Sequence, residues 1–156
     1  MRIRQAGIDD AGAISRLVLP LGEKFIADEF SPDGARTLLG SFTQVSIEGY
    51  LQAGYRYHVA EEADRIIGVI AVRDNSHIYH LFVDESYHRQ GVGRHLWKVA
   101  RDESLAAGNP GRFTVNSSQF AVDFYCRLGF SQAGPPECRD GVISVPMECD
   151  VTTPGG

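Results

Sequence analysis

Residues 66–72, Ile-Ile-Gly-Val-Ile-Ala-Val, carry no polar side chain at any position. Side chains of a strand point alternately to the two faces of its sheet, so a strand with one wet face alternates apolar with polar residues. An unbroken apolar run suits a strand covered on both faces, near the centre of a sheet. Just upstream, Tyr-Arg-Tyr-His-Val-Ala-Glu-Glu from Tyr55 does alternate, and Ala63-Asp64-Arg65 supplies a turn. The two segments therefore read as a hairpin leading into the sheet centre.

Other elements follow from the same periodicities. Residues 1–5 alternate as a short strand, and Asp9 is placed to cap a helix whose one face carries Ala11, Ile14, Leu17, Val18 and Leu21. Pro20 is expected to kink or end that helix. A second helix is expected after Ser31, with Pro32 in its first turn, running through Leu38, Leu39, Phe42, Val45 and Ile47 toward Gly49. After a turn at Asp74-Asn75, residues 77–83 form a strand, and a helix then runs to about Gly108-Asn109-Pro110. A brief strand at 113–115, a helix at 119–128 and a strand at 141–148 complete the order, with a disordered tail expected at 151–156. No linker or repeat divides the chain, and 156 residues at 43% hydrophobic suit a single domain over residues 1–150.

Composition excludes several function classes. No run approaches the roughly 20 apolar residues of a membrane span, and Met1-Arg2-Ile3-Arg4 lacks a signal peptide's apolar region, so a cytoplasmic protein without membrane contact is expected. Cys126, Cys138 and Cys149 have neither disulfide-framework nor zinc spacing, and no metal is expected. A formal charge of −5 disfavours nucleic acid and mildly favours a cationic partner.

The stretch Tyr-His-Arg-Gln-Gly-Val-Gly-Arg-His-Leu, residues 87–96, places Gly91 and Gly93 at the start of an amphipathic helix carrying Val92, Leu96, Val99 and Ala100 on its inner stripe. The first N–H groups of a helix lack internal partners and carry the positive end of its dipole, so bare glycines there admit an anion, with Arg89 and Arg94 beside it. The spacing excludes two phosphate motifs: Leu96 stands where a dinucleotide fingerprint needs its third glycine, and no P-loop run occurs. The glycines alone equally fit a tight strand-to-helix turn.

The neighbouring residues decide between these. Residues 81–96, LFVDESYHRQGVGRHL, resemble the acyl-CoA-binding motif of the GNAT superfamily of N-acetyltransferases, [Q/R]-x-x-G-x-[G/A] after a strand ending in L-x-V. Residues 113–130, FTVNSSQFAVDFYCRLGF, resemble the family's next block, and GVISVPMEC resembles its closing strand. One departure is His88, where the family usually has Gln or Arg. The resemblance implies an α/β (α+β) fold with a mixed, mostly antiparallel twisted sheet, splayed in the middle and flanked by about four helices. It implies acetyl-CoA as cofactor, lying in the gap between the strands at 77–83 and 113–116. Main-chain groups of Leu81 and Val83, with Phe82 between them, would pair with the pantetheine arm. The N–H groups of His88, Arg89, Gln90, Gly91, Val92, Gly93 and Arg94 would hold the pyrophosphate. Asn116 and Phe124 would bond and pack further along the cofactor.

Acetyl transfer to an amine by direct attack through a tetrahedral intermediate needs a neutral nucleophile, an oxyanion donor and a proton for the thiolate. By the resemblance Tyr125 is the general acid, although Ala121, Phe124, Tyr125 and Leu128 also have the spacing of a helix's core stripe. The Val83 N–H would meet the oxyanion. Counting back from L-x-V places His77 where many relatives carry a catalytic Glu, with Tyr79 as a neighbour. Strict alternation puts His77, Tyr79, Leu81 and Val83 on one face and Ile78, His80 and Phe82 on the other, barring a bulge. Glu23, Phe25, Asp28, Glu29 and Phe30 are candidate lining for an amine. The implied acceptor is a small molecule, amino acid or peptide N-terminus, and the family admits a homodimer. Two rivals remain: an acyl-CoA-binding module without turnover, and a nucleotide-binding regulator using the same glycines.

Overall fold

The computed structural model describes residues 1–26 and 30–151. Asp28 and Glu29 of the expected amine lining, and residues 152–156 of the expected tail, lie outside them. In chain order the elements are β1 (Arg2–Gln5), α1 (Ala11–Phe25), α2 (Pro32–Gly40), α3 (Gln44–Gln52), β2 (Arg56–Glu62), β3 (Arg65–Arg73) and β4 (His77–Val83), then α4 (Val92–Ala106), β5 (Arg112–Ser117), α5 (Val122–Leu128), β6 (Ser131–Gln132), β7 (Glu137–Arg139) and β8 (Val142–Asp150). The sheet order is β1-β2-β3-β4-β5-β8-β6, with β7 also on β8, and only β4 and β5 run parallel.

The apolar run at 66–72 is the sheet's centre. Ile67, Ile70 and Val72 join a core with Leu96, Trp97 and Ala100 of α4, Phe113 and Val115 of β5, and Tyr125. Val69 and Ala71, on the other face, join Ile14 and Val18 of α1, Phe42 and Ile47. Gly68 makes the close layer on the α4 side: a Cβ there would stand 2.9 Å from Leu96 Cδ1 and 3.1 Å from Val92 Cγ1. In the β2–β3 turn Ala63 and Asp64 both take positive φ, which matches the right-handed twist of the flanking strands.

Three expectations are corrected. Pro20 does not end α1, which continues to Phe25, and its ring is exposed. Asp9 is not a cap. Asp10 instead accepts from the Gly7 N–H at 2.8 Å and pairs with Arg4, which holds its carboxyl below the usual carboxylate range. The single helix expected after Ser31 is two. Ser31 caps α2 by accepting from Gly34 N at 3.0 Å, and Thr43 caps α3 by accepting from Ser46 N at 3.2 Å. Between them Phe42 turns into the core, and its carbonyl accepts from the Ser15 hydroxyl at 2.7 Å. A hydroxyl that can cap competes with continuing the helix, and here burial of Phe42 favours the break.

Candidate active site

β4 and β5 pair at only two positions, His77 with Thr114 and Ile78 with Val115. Beyond these β5 keeps pairing with β8 as far as Ser117, while β4 keeps pairing with β3 as far as Val83. The sheet therefore splits into a V, and one backbone edge of β4 over 79–83 is left without a strand partner. At the point of divergence lies a β-bulge: Ala71 pairs with His80 and Val72 with Ile78, so Tyr79 is the extra residue.

The bulge overturns the face assignment made from strict alternation. Ile78, Leu81 and Val83 pack in the α4 core, whereas Tyr79 and Phe82 pack with α1 and α3. His80 lies with them, edge-on to Phe42 at 5.2 Å. His80 is 4% exposed, and its Nδ1 hydrogen-bonds the Tyr57 hydroxyl at 3.1 Å. Burial pushes its pKa down to about 3. Tyr79 donates to the Tyr50 hydroxyl at 3.0 Å, and Tyr55 stacks on Tyr50. Burial raises the Tyr79 phenol pKa.

His77 stands one residue before the last pairing, Ile78 with Val115, and its Nδ1 lies 2.7 Å from the Thr114 hydroxyl. Burial, reinforced by the charge of Arg73, lowers its pKa to about 4. Thr114 and Asn116 are exposed, while Phe113 and Val115, which alternate with them, are buried beneath α4 and α5. The open side of the cleft is therefore the one away from α4. Over that side, α2 meets the β7–β8 turn so closely that a Cβ on Gly34 would collide with the Gly141 carbonyl. Also beyond the C-terminal end of β5, Phe25 stacks on Phe120, with ring centroids 5.2 Å apart. Phe30 is half-buried and Glu23 exposed.

The C-terminal end of β4 leads into the glycine loop. Asp84 accepts from Ser86 N at 2.8 Å and so starts a 3-10 turn, Glu85–Tyr87. The His88 ring donates through Nε2 to the Val83 carbonyl at 2.8 Å, and its N–H donates to Glu85 O at 3.2 Å. Arg89 takes φ +65° and Gly91, the N-cap of α4, takes φ +83°. Gly91 faces open space: a Cβ there would meet nothing within 4 Å. Gly93 serves a different purpose, because a Cβ on it would lie 2.7 Å from Phe124 Cζ and 3.6 Å from Val83 Cγ2. Its bareness brings α4, α5 and β4 together. Val92 is buried and Arg94 exposed.

Tyr125 on α5 is 6% exposed, with Phe124 and Phe130 around it. Burial raises its pKa, so the phenol keeps its proton at neutral pH. No described residue bonds its hydroxyl, yet it is not among the sealed polar atoms; of the described side chains only His58 Nδ1 is buried without a partner. Of the residues singled out in the sequence, His77 lies on Thr114, Leu81 and Val83 lie on β4 with side chains against the α4 core, and Phe124 lies against Gly93, whereas Thr114 and the Gly34–Gly141 contact were not singled out. Thr114 carries a signal only once the β4–β5 register is known. Gly34 and Gly141 are far apart in sequence and match no local motif. Among the described residues no His, Cys, Asp or Glu cluster could hold a metal ion, and no helix is long and apolar enough to cross a membrane.

Residues 26–151 match the family model of the acetyltransferase (GNAT) domain. No curated protein matches the chain. Among solved structures, a GCN5-related N-acetyltransferase from Rhodopseudomonas palustris superposes with a TM-score of 0.83 at 18% identity, covering 96% of this chain and 94% of its own. The PaiA N-acetyltransferase of Thermoplasma acidophilum, in complex with coenzyme A, gives a TM-score of 0.74 at 17% identity, covering 96% and 98%. The aminoglycoside 6'-N-acetyltransferase of Enterococcus faecium gives 0.74 at 12% identity and full coverage of both chains.

Proposed function

The chain belongs to the GNAT acetyltransferase family, and on that premise we propose that it moves an acetyl group from acetyl-CoA to a primary amine of a small molecule, amino acid or peptide N-terminus. The observation that carries this reading is the split between β4 and β5, open beside a helix start whose N-cap glycine is left-handed and uncrowded. The residues present fit the coenzyme. Gly91 leaves space at the helix N-terminus for a diphosphate, where unpartnered N–H groups and the dipole favour negative charge. The free edge of β4 offers main-chain groups to an extended arm. Arg89 and Arg94 are exposed at the same loop. Asn116 lines the β5 side of the cleft, and Phe124 packs at Gly93.

Bound there, the coenzyme supplies an activated acetyl thioester. The chain supplies the rest. His77 is uncharged at physiological pH. Because its pKa is held at about 4 it is a weak base, so in this reading it accepts, directly or through water, the proton of the nitrogen once that nitrogen has attacked the thioester and become more acidic, not the proton of the free ammonium. The Val83 N–H holds charge developing on the carbonyl oxygen. Tyr125, protonated at neutral pH, gives its phenolic proton to the departing sulfur.

Purified protein mixed with acetyl-CoA and a panel of amines, followed by free-thiol release, tests the proposal. Thiol release above the hydrolytic background with at least one amine is the expected result. A rise in melting temperature with acetyl-CoA but no thiol from any amine would leave a binding module. Equal protection by ATP and coenzyme A would leave a nucleotide regulator.

A further inference from the structure

We propose that the His88 imidazole is a latch on the free edge of β4: it occupies the Val83 carbonyl, and a coenzyme arm that pairs with this edge must displace it. The inference rests on the acetyl-CoA reading and concerns one residue of the same site, whose side chain that reading leaves without a role.

The backbone pattern shows which groups of β4 face the split. Hydrogen-bonded and non-hydrogen-bonded pairs alternate along an antiparallel ladder. The Asp84 N–H donates to the Ile67 carbonyl at 2.7 Å, and in the same register Val83 pairs with Gly68 and Leu81 with Ile70. Val83 and Leu81 therefore hold the non-hydrogen-bonded places, with N–H and C=O turned away from β3 and toward the split. The Val83 carbonyl is already taken, because His88 Nε2 lies 2.8 Å from it. A carbonyl oxygen only accepts, so Nε2 carries a proton and donates it.

The loop after β4 is shaped to bring the ring back to the strand it has just left. Asp84 accepts from Ser86 N, its carbonyl accepts from Tyr87 N at 2.9 Å, and the Glu85 carbonyl accepts from His88 N at 3.2 Å. Phe25 flanks the ring from the end of α1, with centroids 6.0 Å apart, and itself stacks on Phe120. Val83 is the last residue of β4, and α4 starts against it: a Cβ on Gly93 would stand 3.6 Å from Val83 Cγ2. An arm that lies on this edge with its diphosphate at the α4 start thus passes the latched carbonyl. One of its amide N–H groups then replaces Nε2–H as the donor to Val83. His88 is exposed, so the displaced N–H finds water and the exchange costs little. Until an arm arrives, the ring covers an acceptor that would otherwise invite another extended chain. The latch also lowers the apparent affinity for the arm by the fraction of molecules in which it is closed.

Calorimetry on wild type and His88→Ala, with coenzyme A and with ADP, which has a diphosphate but no arm, tests the latch. The variant keeps the main-chain N–H of residue 88, so the diphosphate contact is common to both proteins. Coenzyme A should bind His88→Ala about 2- to 10-fold more tightly than wild type, the range for removing one competing hydrogen bond, and ADP should gain nothing. A crystal structure of wild type with coenzyme A should show Nε2 beyond hydrogen-bond distance of the Val83 carbonyl. Equal or weaker binding of coenzyme A by His88→Ala, an equal gain for ADP, or a ring still on the carbonyl beside bound coenzyme A overturns the latch and leaves the coenzyme reading standing. Absence of coenzyme A binding by wild type and variant alike instead removes the coenzyme reading, and the latch with it.

Discussion

Three histidines show what single side chains exchange for their place in this fold. His58, His77 and His80 all have pKa values depressed by burial, His77 to about 4 and His80 to about 3. In the unfolded chain each titrates near the ordinary value of about 6.5. Between 6.5 and the folded pKa the unfolded state binds more protons, so stability there rises with pH. Their contribution is complete above about pH 6.5 and is lost as pH falls, for His77 down to about 4 and for His80 down to about 3. Urea midpoints should therefore be flat above neutrality and fall steadily below it, and His77→Gln should flatten part of the fall between 6.5 and 4. A wild-type midpoint unchanged from pH 7 to 5 would contradict the burial of all three. Tyr125 belongs to the same scale. Tyr125→Phe should lower kcat roughly 100-fold with coenzyme affinity nearly intact, because positioned proton transfer contributes about that much. An unchanged kcat would remove the phenol from the chemistry and leave it a core aromatic. Tyr125 carries a motif signal in the sequence. Thr114 was not, because a lone threonine on an alternating strand has no signal until a partner strand fixes its neighbour.

At the level of elements, periodicity located strands and helices well and failed where side chains decide a local contest. The central run at 66–72, the strand at His77–Val83 and the helix after Gly91 stand where apolar spacing put them. The break between α2 and α3 escaped because Leu38, Leu39, Phe42 and Ile47 keep helical spacing across it, and only the Thr43 cap and the buried Phe42 ring reveal it. The bulge at Tyr79 escaped for a related reason: one extra residue resets alternation without altering composition. β6 and β7, with two and three residues, are too short for any period to register. Two glycines separate packing from propensity. Gly49 lies inside α3 with nothing within 4 Å of a would-be Cβ, so Gly49→Ala should stabilise the protein by about 0.5–1 kcal/mol. Gly34→Ala offers the same helical gain, but its methyl would run into the Gly141 backbone, which cannot swing aside as a side chain can. A net loss of roughly 1–3 kcal/mol is expected there. Chemical denaturation of the two variants side by side checks both signs, and a stabilising Gly34→Ala would show that α2 does not rest on the β7–β8 turn.

For the whole molecule, the decisive feature is that one sheet behaves as two. β1 to β4 carry α1 and α3 on one face, β5 to β8 carry little on that face, and the two halves share only the pairs His77–Thr114 and Ile78–Val115. Further ties are the Thr114 N–H donating to the Ser76 carbonyl at 3.0 Å, the Asn109 side-chain amide donating to the Asn75 carbonyl at 2.7 Å, the helical layer of α4 and α5 beneath, the Gly34–Gly141 contact and the Phe25–Phe120 stack. An edge strand left unpaired in the interior of a sheet is normally a liability, since its N–H and C=O groups invite any extended chain. In the proposed reading that liability has a use, because an extended coenzyme arm would complete the edge and bridge the halves. Ligand bound only to the folded state adds stability of about 2.7 kcal/mol at 100 times its Kd, and this should appear as a raised Tm with coenzyme A. The location of the gain is the sharper test. Amides within 79–83 that point away from β3 have no strand partner and should exchange rapidly in the free protein, whereas those bonded to β3 should be slow. Saturating coenzyme A should slow the first set by at least about 10-fold and leave the β2–β3 hairpin unchanged, since only the bridged edge gains bonds. If the Tm rises while those amides exchange as before, the coenzyme is held outside the split, and the two halves are joined by something other than the strand it was expected to imitate.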